Sequence, residues 1–230
     1  MIDAIVTESR RLEYLGVLGV TVYRDRRTVL AEAPAAPRAV TTGAPDWDAL
    51  CEAVAGCTRC GLSATRTQTV FGTGDRGARL MVIGEAPGFE EDRQGKPFVG
   101  RAGQLLNSML KAAGFDRREV FIANVLKCRP PNNRNPQPDE AAACLSYLSR
   151  QIELVAPRVI LCVGRIAAQN LLATAAPLGT LRGAVHRHDS GVPVVVTYHP
   201  AYLLRSPGEK RKAWEDLKFV VRLLRDGDRS

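Results

Sequence analysis

Leu80-Met81-Val82-Ile83-Gly84-Glu85-Ala86-Pro87-Gly88 decides how the rest of the chain is read. Four apolar residues in a row, with no polar alternation and a glycine stopping them, form the pattern of a short strand covered on both faces. Runs of the same kind stand at Phe121 to Ala123, Val159 to Val163 and Val194 to Val196, each followed by loop or helix signals. Between them lie three helical patterns with apolar residues at i, i+3, i+4 and i+7. One holds Ala102, Leu105, Leu106, Met109, Leu110 and Ala113. The next holds Ala141, Cys144, Leu145, Leu148, Ile152 and Val155, and the last Trp214, Leu217, Val220, Val221 and Leu224. Strands alternating with helices in this way predict a doubly wound α/β fold, whose ligands gather at the carboxyl ends of the strands. The loops after Ile83, Ala123 and Val196 are therefore the places to look for chemistry.

Toward the N-terminus, Asp46 to Val54 reads as a short helix with Trp47, Leu50 and Val54 on one face, ending at Gly56. The core domain is expected to begin there and run over 46–230. Ala33 to Pro45 is rich in Pro, Ala, Thr and Gly and reads as a linker, while residues 1–32 carry no motif, so 1–45 is taken as an extension without assigned role. A hydrophobic content of 45% in 230 residues supports a sizeable core and excludes wholesale disorder. The net charge of +8 favours an acidic partner such as nucleic acid. No run approaches the roughly eighteen apolar residues of a membrane span. Asp3, Glu8 and two arginines also occupy the start, where a signal peptide would be apolar, so a cytosolic location is expected and no membrane partner. In a reducing compartment the six cysteines are to be read for metal ligation or burial before disulfides.

Four constellations could carry chemistry. In the first, Gly84-Glu85-Ala86-Pro87-Gly88 precedes an acidic run, Glu90, Glu91 and Asp92, and then Gly95-Lys96-Pro97-Phe98-Val99-Gly100-Arg101-Ala102-Gly103. Glycines around a proline let backbone N–H groups converge on a ligand oxygen. Phe98 is either a core residue or a stacking surface for a flat ligand. In the second, His199 follows a strand with Pro200 fixing the next turn, placed to donate to an anion forming in the cleft. The third is Cys57-Thr58-Arg59-Cys60 with Cys128 and Cys144, four thiols able to hold zinc or a 4Fe–4S cluster, the wide second pair leaning toward iron and sulfur. Cys51 and Cys162 read as small core residues. In the fourth, Asn124 ends a strand, where its amide offers the donor and acceptor needed to read a base edge. Lys127, Arg129 and Arg134, with Arg205, would supply phosphate contacts.

Taken together, GEAPG beside an acidic run, GKPFVGRAG, NVLKCRPPNNRNP and HPAYLLR closely resemble the family 4 uracil-DNA glycosylases, the iron–sulfur branch of that superfamily. The match runs from about Cys57 to the C-terminal helix. The resemblance implies a three-layer α/β/α fold with a central, mostly parallel sheet. It implies a DNA-repair enzyme that hydrolyses the N-glycosidic bond of uracil in single- and double-stranded DNA, acting as a monomer on nucleoid DNA in a prokaryotic cytoplasm. Position by position, Cys57, Cys60, Cys128 and Cys144 look like ligands of a structural 4Fe–4S cluster. Gly84, Glu85 and Ala86 stand at the first active-site motif, Phe98 at the aromatic that stacks on flipped uracil, Asn124 at the residue reading its edge, and His199 at the second motif.

Flipping brings the base out of the stack, and bond cleavage leaves an oxocarbenium-like sugar and a uracil anion. Backbone N–H groups near Glu85 and Ala86 and the His199 imidazole are expected to stabilise that anion. Related branches carry an acid or an asparagine where this chain has Ala86, so Glu85 is the candidate to position water, with Asp92 behind it. Leu203, Leu204 and Arg205 are candidates for the side chain that wedges into the vacated stack. The Cys128 to Pro136 loop has no histidine, so turnover is expected in place of suicide attachment to DNA. The competing reading from another class is a non-catalytic iron–sulfur module that binds uracil in DNA. It would need neither Glu85 nor His199. A zinc-stabilised nucleotide-binding protein lacks the P-loop and dinucleotide motifs it would require.

Overall fold

The computed structural model describes residues 44–226. The expected extension, residues 1–45, lies almost wholly outside them. Six strands form one sheet: β1 (Thr73–Gly74), β2 (Leu80–Gly84), β3 (Phe121–Asn124), β4 (Val159–Val163), β5 (Val185–Arg187) and β6 (Pro193–Thr197), in the order β1-β3-β2-β4-β6-β5. The four inner strands pair in parallel and the two edge strands antiparallel. The described helices are α1 (Ala44–Ala55), α2 (Phe89–Gln94), α3 (Arg101–Ala112), α4 (Pro138–Val155), α5 (Arg165–Leu171), α6 (Leu178–Leu181), α7 (Pro200–Arg205) and α8 (Lys210–Asp226).

The period-two pleat sorts the continuous apolar runs into two cores. Met81, Ile83, Ile160, Cys162, Val194 and Val196 face one layer, packing with Trp47 of α1, the α4 stripe Ala141, Cys144, Leu148 and Ile152, and Ala167 and Leu171 of α5. Leu80, Val82, Leu161, Val163 and Val195 face the other, against Leu106 and Leu110 of α3 and Leu217, Val220 and Leu224 of α8. Helices on both faces explain why the inner strands alternate in direction of packing but not in polarity. The fold is thus the three-layer α/β/α arrangement the sequence points to.

The four predicted strands are all present, Val159–Val163 with the expected bounds and the other three lengthened by one or two residues. The first helix begins at Ala44, two residues before the expected start. Sequence periodicity missed α2, α5, α6 and α7, which are too short for an i, i+7 repeat, and the edge strands β1 and β5, which carry little apolar residue to signal them. Trp214, expected on the inward face of α8, is exposed. The buried stripe runs instead through Ala213, Leu217, Val220 and Leu224.

A buried polar knot ties α8 to the end of β6. Asp216 accepts from Thr197 Oγ1 at 2.6 Å and from Arg182 Nε at 2.9 Å, and Arg182 also donates to the Lys212 carbonyl at 2.8 Å. Arg182 then lies over the Tyr198 ring, 4.3 Å from its centroid, and Tyr198 stacks on Tyr202. The segment leaving β6 is therefore clamped from α8 before it reaches His199. Removing the carboxylate strands a largely buried guanidinium and a buried hydroxyl. Asp216→Ala is expected to lower the unfolding free energy by about 3 kcal/mol and Thr197→Val by about 1 kcal/mol in urea titrations. A loss with Asp216→Ala no larger than with Glu215→Ala, which breaks only an exposed pair to Lys218, would show that the knot contributes nothing.

Candidate active site

At the carboxyl ends of β2 and β3 the parallel ladder continues past the strands. Gly84 lies opposite Asn124, and Val125 N then donates to the Gly84 carbonyl at 2.9 Å and Leu126 N to that of Glu85 at 3.0 Å. The two loops thus leave the sheet side by side. Gly84 is fixed by what surrounds it. A β-carbon there would collide with Asn124 Oδ1 and the Phe98 ring. With only hydrogen at that point, the Asn124 amide and the Phe98 ring close over one spot.

Phe98 is held there by unusual means. Its backbone is left-handed, φ 52°, a conformation that costs a non-glycine residue on the order of 1 kcal/mol or more. Its neighbours hold it in place. Glu91 Oε1 accepts from Val99 N at 2.9 Å and Gly100 N at 3.0 Å, and Arg117 Nη2 donates to the Pro97 carbonyl at 2.6 Å. Gly103, in the first turn of α3, leaves room for the Phe98 carbonyl, which any β-carbon would overlap. Both glycines of the GRAG stretch and Glu91 therefore serve one ring.

His199 is the N-cap of α7. Its Nδ1 accepts from Ala201 N at 3.1 Å, so in the neutral ring the proton sits on Nε2, which is left as a donor. Burial, helped by the charge of Arg205, holds the imidazole down at about 4, with Glu91 opposing. The ring is neutral at pH 7. It lies 5.8 Å from the Phe98 ring, centroid to centroid, and Gly164, at φ 100°, packs against its other side.

These groups line one cleft of about 530 Å³, walled by Glu85, Ala86, Phe98, Asn124, His199 and Arg205 together with Pro130, Asn133 and Arg134 of the following loop. Asn124 is 2% exposed, and its Oδ1 has no hydrogen-bond partner. A buried carbonyl without a donor is costly unless a ligand supplies one. Burial raises the Glu85 carboxyl above its ordinary value, while Arg165, at the start of α5, pulls it back down. Gly164, Arg165 and Glu91 were not singled out from sequence. Their signal was the glycine and the acid adjoining motifs already noted, with nothing in the spacing to say which way they point.

Three expectations need correction. Lys127 is 1% exposed, and its Nζ donates to the Asn124 carbonyl at 2.7 Å and to Gln151 Oε1 at 2.6 Å, so it braces the cleft floor and cannot reach a phosphate. Asp92 is buried with both carboxylate oxygens accepting from Thr67 N, away from the cleft. Leu203 is fully buried, whereas Leu204 is exposed at 38%. Of the remaining cations, Arg205 is exposed, Arg129 is half-buried, and Arg134 is engaged by the buried Glu140 carboxylate.

The four cysteines come from the loop after α1, the loop after β3 and the second turn of α4. Among the described residues no three metal-ligating side chains converge as a set for one ion. The thiols are nonetheless mutual neighbours: Cys57 and Cys60 push the pKa of Cys128 up, and Cys128 and Cys60 push that of Cys144 up, in each case behind the larger effect of burial. Arg66 Nη1 donates to Cys128 Sγ at 3.0 Å. Four thiols in one partly buried patch, with a cation already turned on one of them, match the donor set of a cuboidal iron–sulfur cluster.

A family model for the uracil DNA glycosylase superfamily matches residues 71–218. The chain is 42% identical over 183 residues to the type-4 uracil-DNA glycosylase of Archaeoglobus fulgidus, spanning 76% of this chain and 92% of that one. It is 43% identical over 170 residues to that of Thermotoga maritima, 73% and 88% of the two chains. With that of Pyrobaculum aerophilum it shares 43% over 179 residues, 75% and 91%.

The depressed basicity of His199 has a readable sign. The unfolded chain takes up a proton near 6.5 and the folded one only near 4, so stability falls as pH drops through that interval. Imidazole carbon shifts in a pH titration by NMR should place the His199 midpoint near 4, well below an ordinary histidine. In His199→Gln the part of the acid destabilisation between pH 6.5 and 4 that belongs to this ring should be absent. A midpoint near 6.5 would contradict the neutral-donor assignment.

Proposed function

The chain belongs to the type-4 branch of the uracil-DNA glycosylase superfamily, and from that membership we infer that it is a monofunctional DNA-repair glycosylase. It hydrolyses the N-glycosidic bond of uracil in single- and double-stranded DNA, releases uracil and leaves an abasic site. The observation that carries the reading is the buried, unpartnered Oδ1 of Asn124 beside the Phe98 ring. Uracil offers an N3–H to that oxygen and an O4 to the amide Nδ2, while cytosine presents the reverse pattern and leaves both mismatched. Phe98 stacks on the ring of the flipped base.

As the bond breaks, charge builds on uracil O2 and O4. The Nε2–H of His199 donates to O2, and the N–H groups of Glu85 and Ala86 at the end of β2 supply further dipoles already in place. A neutral imidazole suits this task, because it stabilises the anion by hydrogen bonding without having to give up its proton. The Glu85 carboxylate positions water and offsets the positive charge on the sugar. Arg129, Arg134 and Arg205 are assigned to the DNA backbone. Residues 46–230 form the glycosylase domain in this reading, 1–45 an appendage outside the chemistry, and the enzyme works as a monomer in a prokaryotic cytoplasm. Cys57, Cys60, Cys128 and Cys144 would hold a 4Fe–4S cluster. When bound, the cluster supplies a structural cross-link between α1, α4 and the loop that continues from Asn124.

End-labelled single-stranded DNA with one uracil should be cut only at uracil after incubation and hot alkali, and a thymine control should stay intact. His199→Ala and Glu85→Ala are each expected to lower single-turnover excision by roughly 10² or more while binding of uracil-containing DNA persists. Wild-type activity in either variant removes that residue from the mechanism, and an intact but shifted strand with the wild-type protein would favour a binding module. Cys128→Ser should lose both bound iron and the thiolate-to-iron absorption in the visible. An unchanged spectrum would refute the ligand set.

A further inference from the structure

Phe89 is the most exposed of the large apolar residues described, at 56%. It opens α2 immediately after Gly88, a residue of the cleft wall. The guanidinium of Arg129 lies over its ring, 5.1 Å from the centroid. Arg129 in turn adjoins Pro130 of the cleft wall and is held by its Nε donating to Asn133 Oδ1, also in the wall, at 2.8 Å. Nothing in the core or in the chemistry derived above uses this aromatic ring.

We propose that Phe89 and Arg129 form a second stacking site at the rim of the cleft, occupied by an unpaired nucleobase of the DNA strand next to the flipped uracil. The inference rests on the glycosylase reading. An aromatic face is the feature common to sites that hold single-stranded nucleic acid without reading sequence, because every base has a π-face. One face of Phe89 is covered by Arg129, and the exposure of the residue leaves apolar surface for a base. Arg129 strengthens such a stack and meets the adjoining phosphate. The nearby acids do not oppose it. Glu90 pairs with Arg93, Glu91 is engaged by Val99 N and Gly100 N, and Asp92 by Thr67 N. Arg134, in the same loop, is paired with the buried Glu140 carboxylate, whereas Arg129 is held over the Phe89 ring.

The test uses single-stranded oligonucleotides with one uracil and a single abasic spacer moved through the flanking positions on both sides. Excision is followed under single turnover against protein concentration. Phe89→Ala is expected to raise the half-saturating concentration roughly ten-fold, with most of the change in that constant and little in the maximal rate. Phe89→Trp should restore it and Phe89→Leu, apolar but without a π-face, should not. A spacer at one particular flanking position should weaken binding to the wild-type protein by a similar factor and add nothing in Phe89→Ala. Effects that add at every spacer position, or a Phe89→Leu protein as good as wild type, would overturn the stacking site while leaving the glycosylase intact. Failure of the wild-type protein to release uracil from spacer-free strands would instead overturn the reading beneath it.

Discussion

The candidate site depends on one close approach, that of the end of β2 to the end of β3. Because the ladder runs on past Gly84 and Asn124, two loops with different side chains are held in register by backbone bonds that no substitution of those side chains removes. Gly84 is the point at which this approach would fail, since the Asn124 amide and the Phe98 ring occupy the volume a methyl group would need. The remaining parts hold that arrangement from outside. Glu91, Arg117 and Gly103 hold Phe98 in its left-handed backbone, Lys127 and Gln151 fill the space under Asn124, and the Asp216 knot presents His199 from the far side of the sheet.

Much of this was legible in the sequence, for identifiable reasons. Strands buried on both faces have to be continuously apolar, so LMVI and its three counterparts announced the sheet and the loops after it. The residues gathered in the cleft, Glu85, Phe98, Asn124 and His199, sit at the ends of those strands or in the glycine-rich loop between them. What could not be read was direction. Lys127 looked like one more cation in a basic loop. The fold turns it inward, where two carbonyl oxygens receive it and burial lowers its pKa to about 7. Asp92 likewise looked interchangeable with its acidic neighbours, yet one turn of helix sends Glu91 to the Phe98 loop and Asp92 to Thr67. Short helices such as α2 and α7 leave no periodicity, and both turned out to position functional groups.

The cysteines and the cleft share a segment of chain. Three residues separate Asn124 from Cys128, and Lys127, one of them, is bonded to Asn124 and to α4, the helix that carries Cys144. A cross-link among these thiols would therefore stiffen the floor of the cleft from outside it.

The cap on α7 bears on what His199 can do with a proton. In many enzymes a carboxylate stands behind the histidine and receives or orients its proton. Here Nδ1 accepts from the backbone N–H of Ala201 in its own helix, a donor that cannot take a proton from the ring. The imidazole is a fixed dipole with no relay at its back. It can donate from Nε2 but has no acceptor behind Nδ1 within its own helix, so any proton it gave up would have to return from the cleft side.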